Sequence, residues 1–533
     1  MPTYLMAIDL GTGSARAVVF DALGRQVDSA SREWTHHPEP GVPGSQVFDT
    51  ARNWELICEC VREVLNGGRV APSDVVGVST TSMREGIVLL DSEGREIWAC
   101  PNVDARASSE ALELVKSGRA RQIYDIAGDW VSITSPARLL WIRTNAPDVL
   151  ERASRLVMLS DWALYRLCGR LVTDPSAGSS SGMFDLSRRT WSHEIVDLLD
   201  LSPGILPEVI DPGTVIGAVT DAAGAATGLV AGTPVVVGGA DTQLALIGIG
   251  ASDPDSATVI GGSFWQATSL ESTPVVDPHA RLRTLCHTVP GEWMIEGIGF
   301  YCGIAMRWFR DAFCDSEKAE AVERGVDAYA VMEERASTVP PGSDGVMAIF
   351  SNAMEAKRWA QASPGFLQFT IDGPQPTGRA HCIRALQEAT AYATRQHIEI
   401  IEEVVGRTVN RLVFTGGAAK GFLWPQILAD VAGRPVDVPV VKESTALGAA
   451  VYAGIGVGVF TDATSAIAES SRVERTYEPD NASTRRYDLH YDHWRRLYPE
   501  MLGLTERGLL RPMWWPAGAE PPPDPLAWAG PEL

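Results

Sequence analysis

Two stretches of this 533-residue chain repeat one plan. YLMAIDLGTGSARAVVF, from Tyr4, and PVVVGGADTQLALIGIG with the following SATVIGGSFWQ, from Pro234, each read as a buried strand, an aspartate with glycines beside it, and a return into apolar sequence. The two aspartates, Asp9 and Asp241, lie 232 residues apart, a domain-sized interval rather than a solenoid period. An ionised group at the end of so apolar a run is costly unless it is partnered or put to use. The repeat therefore predicts a duplicated α/β domain, with each strand delivering a carboxylate to a cleft between the copies.

The surrounding pattern agrees. Strands are expected at Leu5–Asp9, Ala15–Phe20 and Gln26–Ser31, the last two joined by the turn DALG. GIVLLDSEGREIW reads as a β-turn-β unit, and TARNWELICECVREVLNGG as a helix with Thr50 as its cap and Gly-Gly as its stop. Strands alternating with helices mean α/β architecture. RLVFTGGAAKGFLWPQILADVAGRPVDVPVV reads as strand, Gly-rich turn, helix, strand, and STALGAAVYAGIGVG as a helix of small residues. The expected units are 1–245, 246–480 and an extension, 481–533, whose end from Pro512 is Pro-rich and expected to be poorly ordered.

A net charge of −22 and a pI near 4.9 argue against nucleic acid or an anionic membrane as partners. No apolar run approaches the roughly 20 residues of a spanning helix, and the N-terminus lacks signal-peptide character, so a cytoplasmic protein is expected. The eight cysteines show no metal-type pairing, and Cys58 and Cys60 are expected to be structural. His490 and His493 have helical ligand spacing but no third ligand nearby, so they are expected at the surface.

Three Gly-rich turns carry the chemistry. In DLGTGS, glycines let backbone N–H groups approach phosphate oxygens, Thr12 and Ser14 add hydroxyls, and Asp9 can hold Mg²⁺ directly or through water; a tight hairpin turn is the plainer alternative. The spacing is not that of a P-loop. VIGGSFW offers a second such turn, and FTGGAAKG, between strand and helix, a third with room for an adenosine. Arg84 and Glu85 follow the strand VVGVST; they are either a solvated pair or a donor and an acceptor for a polyhydroxylated ligand, a capacity shared by Asn102, Asp104 and Arg106. Asp241 is suited to accept the proton of a hydroxyl attacking a γ-phosphoryl group.

AIDLGTGSARAVVFD, VVVGGADTQ and FTGGAAKGFLWPQILADVAGRPV together resemble the FGGY carbohydrate kinases, over about residues 4 to 480. The resemblance implies two actin-like (ribonuclease H-like) domains around a catalytic cleft, with ATP and Mg²⁺ as the cofactors. It implies Asp241 as general base and Asp9 and Asp241 as the metal-placing carboxylates. Gly11, Thr12, Gly13, Arg16, Gly262 and Ser263 would face phosphates, and Gly303, Arg307, Gly417 and Gly421 would surround the adenosine. Arg84, Glu85, Asp104 and Trp265 would contact substrate. Within the family, SMREGIVLL, WACPNVDARA, MRWFRDAFC and VPVVKESTALGAA look most like the members that phosphorylate the terminal hydroxyl of the linear signal 4,5-dihydroxy-2,3-pentanedione.

Ile133, where related polyol kinases carry a substrate-contacting Tyr, argues against glycerol; Arg138 for Lys and Gly262-Ser263 for Gly-Thr are conservative. The alternatives are a kinase for a pentulose such as xylulose or ribulose and, in another class, a non-catalytic actin-like nucleotide binder. Expected partners are ATP and a small-molecule substrate, with a homodimer left open.

Overall fold

A computed structural model describes residues 2–262, 264–299, 301–353, 361–372, 376–441, 443–467 and 472–513. Two mixed sheets carry the architecture. In the first half, β1 (Tyr4–Leu10), β2 (Ser14–Asp21) and β3 (Gln26–Glu33) form an antiparallel meander, longer at each strand than the apolar runs alone suggest. Helix α1 (Thr50–Asn66) then returns the chain to β4 (Val75–Ser82), parallel to β1. Asp49, rather than Thr50, caps α1 by accepting from the Arg52 N–H; a carboxylate at that position serves the same orphan donors. β5 (Val215–Ala218) and β6 (Pro234–Ala240) complete the sheet in the order β5-β6-β4-β1-β2-β3.

After α2 (Asp241–Ile249), the second half repeats the arrangement. Its strands are β7 (Ser256–Gly261), β8 (Trp265–Glu271), β9 (Arg283–Cys286), β10 (Trp293–Gly299), β11 (Arg411–Thr415), β12 (Val436–Pro439) and β13 (Val473–Tyr477), in the order β9-β10-β8-β7-β11-β12-β13. The run β10-β8-β7-β11-β12 has the same pairing senses, antiparallel, antiparallel, parallel, parallel, as β3-β2-β1-β4-β6. Helices α3 (Cys302–Phe313), α4 (Ala328–Ser337), α5 (Arg379–Val405) and α6 (Leu423–Ala432) pack around it.

The halves are interleaved. α7 (Ser444–Gly456) belongs to the second half by sequence but packs on β1, β4 and β6 of the first sheet and across α2. The crossing is backbone on backbone: a Cβ on Gly248 would lie 2.0 Å from the Ser444 carbonyl oxygen, and one on Gly448 2.0 Å from that of Leu244. α8 (Asn481–Glu506) buries Tyr487, Tyr491, Trp494 and Tyr498 in the second half's core, so the extension beyond 480 begins as an integral helix. The tail expectation falls on residues 514–533, outside the described residues. In the other direction, Cys286, Trp293 and Ile298 of β9 and β10 join a core built on residues of the first half. Neutral hydrogen bonds fasten that edge: Tyr124 Oη to the Leu282 carbonyl (2.6 Å), Trp130 Nε1 to Ala280 (3.0 Å) and Trp293 Nε1 to Leu186 (2.9 Å).

Candidate active site

Both aspartates stand at strand ends of the first sheet, Asp9 in β1 and Asp241 directly after β6, so the first half supplies both carboxylates and not, as the repeat implied, one from each copy. Asp9 is the next-to-last residue of β1, paired in register with Arg16 of β2. The turn between them closes through Gly11 N–H to Ser14 O (2.9 Å). Trp34 Nε1 donates to the carbonyls of Gly11 and Thr12 (3.1 and 3.2 Å), and Asn102 Nδ2 donates to Thr12 Oγ1 (3.0 Å). The turn is thus held from one side while Gly13 stays exposed. Burial pushes the Asp9 carboxyl up to about 7; Arg16 opposes this, and the negative charges of Asp241 and Glu443 add to it. Arg16, given to phosphate by sequence reasoning, reaches across the halves to Glu443 just before α7 (Nη1 to Oε2, 2.8 Å).

Asp241 is the first residue of α2, where the helix N-terminus favours a carboxylate. Its Oδ1 accepts from the Thr242 N–H (2.6 Å) and from Thr242 Oγ1 (3.2 Å), and the side chain is 35% exposed. Burial raises its carboxyl to about 6, with Arg84 opposing and Glu85 reinforcing the shift.

Arg84 and Glu85 are not a solvated pair; both are buried beside Asp241. Arg84 Nε lies 3.9 Å from Asp241 Oδ1 and 4.0 Å from Glu85 Oε1, while Nη1 and Nη2 each donate to Glu296 at 3.0 Å. Glu85 has a left-handed backbone (φ 62°), which costs energy in a non-glycine residue and is held by Arg138 donating to its carbonyl. Arg283 Nη2 donates to Glu85 Oε1 and to Asp129 Oδ2, both at 2.6 Å. Burial lifts Asp129 to about 6 against the pull of Arg283.

Across the cleft, a cavity of about 570 Å³ is lined by Gly261, Gly262, Gly303, Arg307, Gly417 and Gly421, with Met306, Tyr329, Ile383, Phe422 and Trp424 as apolar and aromatic walls. A second cavity of about 540 Å³ shares Gly417, Lys420 and Gly421 with it and reaches Asp9, Arg16 and Glu443. Together they run from an aromatic pocket large enough for a purine to Asp9. Gly416 (φ 93°) brings the third turn against the second: a Cβ there would lie 2.6 Å from the Gly261 carbonyl oxygen. Glu333 of α4 supports the far side, accepting from the N–H groups of Phe422 (2.9 Å) and Trp424 (3.2 Å) at the start of α6.

Two expected substrate contacts are corrected. Trp265 is a core side chain, 1% exposed, stacked on Trp424 and donating to Thr394 Oγ1 (2.9 Å), because β8 turns it into the second half's interior. Asp104 is consumed internally: its Oδ2 accepts from Arg106 Nε (2.8 Å) and the Gln46 N–H (2.7 Å), and the side chain has no exposure. Ser263 lies outside the described residues. His493 is exposed as expected, whereas His490 is half-buried over Gly342. All eight cysteines are free and seven are buried. Sequence reasoning missed Glu296, Arg283 and Asp129. The signal for Glu296 was the one that singled out Asp241, a charge inside an apolar strand, WMIEGIG.

Residues 4–248 match the N-terminal domain, and residues 258–457 the C-terminal domain, of the FGGY family of carbohydrate kinases. The chain belongs to that family. Being a kinase of this family, it uses ATP as phosphoryl donor, which sets aside the non-catalytic alternative. It is similar to the autoinducer-2 kinase of Escherichia coli K12, 44% identical over 96% of this chain and 97% of that protein. It is likewise similar to the autoinducer-2 kinase of Klebsiella pneumoniae, 43% identical over 97% and 98%. Among solved structures, the xylulose kinase of Rhodospirillum rubrum superposes with a TM-score of 0.81, at 27% identity over 93% of this chain and 99% of that one. The two-sheet architecture of this FGGY kinase is the one its relatives share. Among the described residues no helix is long and apolar enough to cross a membrane.

Proposed function

We propose that this chain phosphorylates the terminal hydroxyl of 4,5-dihydroxy-2,3-pentanedione with ATP. The observation that carries the substrate is the 44% identity, over nearly the whole of both chains, to proteins named autoinducer-2 kinase. The acceptor lies beside Arg84, Glu85 and Asp241, and the nucleotide in the pocket between Gly262, Gly303, Arg307, Gly417 and Gly421, with its phosphates toward the turn Gly11–Gly13. On this reading 1–245 supplies mainly the acceptor side and 246–480 mainly the nucleotide side.

Asp241 accepts the proton of the attacking hydroxyl. With its carboxyl near 6 it is largely ionised at neutral pH, and in a loose transition state positioning counts for more than base strength. Arg84 orients the acceptor through its remaining donor edge, and Glu85 takes a hydroxyl proton into a hydrogen bond. Closure around both ligands excludes water, which would otherwise compete as acceptor.

The donor set fits Mg²⁺. Asp9 is a buried carboxylate held near Asp241 and Glu443, an accumulation of negative charge that a hard cation relieves. Mg²⁺ characteristically takes one or two carboxylates plus substrate phosphates, a need that Asp9 and Asp241 would meet. Asp9 and Asp241 would hold it, and when bound it neutralises phosphate charge.

The test is turnover of purified protein against the pentanedione, D-xylulose, L-ribulose and glycerol, read as ADP release. Preference for the pentanedione is expected, and far better turnover of a pentulose overturns the substrate. Asp241→Asn should lower kcat by 10³ or more with ATP still bound in a direct titration; near-normal kcat refutes the base.

A further inference from the structure

We infer that Glu296, contributed by the second half, is a positioning residue for the acceptor site: it locks the Arg84 guanidinium so that its free edge faces Asp241. The inference rests on the reading that Arg84 and Asp241 flank the acceptor.

Glu296 sits at the centre of β10, a strand buried along its whole length, and its side chain has no exposure. A carboxylate there must be paired. It takes both Nη atoms of Arg84 in a fork at 3.0 and 3.0 Å, and Arg283 Nη1 approaches it at 3.7 Å. Two parallel bonds fix the plane of a guanidinium as one bond cannot. What remains of Arg84 is its Nε edge, which points at Asp241 and Glu85. Arg283, on the neighbouring strand β9, does the complementary work by clamping the Glu85 carboxylate against Asp129.

β10 is itself pinned, since a Cβ on Gly297 would lie 2.3 Å from His397 of α5, so the strand carries Glu296 as a rigid support. A purely mechanical role, tying the halves together, is already filled by the neutral hydrogen bonds of Tyr124, Trp130 and Trp293. Buried ion pairs add little stability over apolar packing. The charges are concentrated instead on the two residues that adjoin Asp241. Glu296 and Arg283 thus complete, from the second half, a site whose Arg84, Glu85 and Asp241 come from the first.

The experiment compares Glu296→Gln, Glu296→Asp, Arg84→Lys and the double variant Arg84→Lys/Glu296→Gln in the full chain. The acceptor is whichever compound the wild type phosphorylates best. Glu296→Gln keeps the shape and removes the charge; its acceptor KM should rise tenfold or more while the directly titrated ATP Kd stays within twofold. Arg84→Lys, which keeps the charge but loses the fork, should do the same, and the double variant should be no worse than the weaker single. If Glu296→Gln does not fold, Glu296→Asp and Arg84→Lys carry the same two readouts. An unchanged acceptor KM, parallel loss of ATP affinity, or additive effects in the double variant overturn the inference. A wild type that phosphorylates no small hydroxylated compound defeats the acceptor-site reading itself, a separate outcome read before any variant is made.

Discussion

Replacing Gly448 with alanine tests the joint on which both halves depend. The new Cβ would fall 2.0 Å from the Leu244 carbonyl oxygen, 2.7 Å from its carbon and 3.0 Å from its Cα, all backbone of α2. No side chain can swing aside, so α2 and α7 must part by more than 1 Å to reach ordinary contact, about 3.5 Å. Overpacking of this kind costs about 1–3 kcal/mol, and the upper end applies where the obstruction is backbone. Asp241 heads α2, and α7 lies on β1, which carries Asp9, so the same displacement moves both carboxylates relative to each other. A misplacement of about 1 Å costs on the order of 10² in rate. Urea denaturation and steady-state kinetics should show a lowered midpoint together with a kcat/KM reduced about a hundredfold. Gly365→Ala, where a Cβ meets nothing within 4 Å, is the control and should be neutral. A Gly448→Ala protein with wild-type midpoint and kcat/KM within twofold would refute the idea that this crossing sets the active-site geometry.

Titration gives a second handle. Asp9, raised to about 7, and Asp129 and Asp241, raised to about 6 from 3.8, all bind protons more tightly folded than unfolded. Their contribution to stability is therefore greatest below about pH 4 and is lost as pH rises toward 7, while buried His287 and His397, held down to about 3 and about 4, act in the opposite sense; Asp9→Asn, which removes one raised carboxyl and leaves the histidines, should gain melting temperature relative to wild type between pH 5 and pH 7.5, and no relative gain would refute it. Over the same range kcat/KM should rise with pH, with an acid limb near 6, as Asp241 becomes competent to accept a proton. Gly421→Ala would set a Cβ 2.2 Å from both carboxylate oxygens of Glu333 and displace it from the Phe422 and Trp424 N–H groups; the KM for ATP should rise tenfold or more with the acceptor KM unchanged. Trp265→Phe should cost about 2 kcal/mol of stability through a lost hydrogen bond and lost volume, with no change in acceptor KM. A threefold shift in that KM would return Trp265 to the acceptor site.

The duplicated fold was legible because it is written locally. AIDLGTGS recurs locally at SATVIGGS, whose strand β7 holds in the second sheet the place of β1 in the first, whereas VVVGGADTQ, read as the second copy of that device, is β6 of the first sheet itself. Asp9 and the Gly-rich turns at Gly11–Gly13 and Gly416–Gly421 follow from such local signals, while Gly303 came only from the family resemblance. Interleaving was not legible. Nothing in STALGAAVYAGIG says that its small residues face the other half, where Gly448 meets Leu244; only the three-dimensional crossing gives those glycines a reason.

The errors have one physical cause. Trp265 and Asp104 are residue types that suit a sugar site, but suitability for hydrogen bonding is also suitability for core duty: the indole satisfies Thr394, and the carboxylate satisfies Arg106. Composition of a motif cannot tell the two apart, since what differs is which partner the fold sets beside the side chain. Arg84 and Glu85 show the converse. Read alone, they pass for a surface pair; their burial depends on Glu296 and Arg283, 212 and 198 residues further along, whose own charges make sense only beside them. A lone buried charge in a strand announces that a partner exists but not where it is, so the search should begin from every such charge at once. Paired by sign, Arg84 with Glu296 and Glu85 with Arg283, the buried charges of the two halves converge beside Asp241.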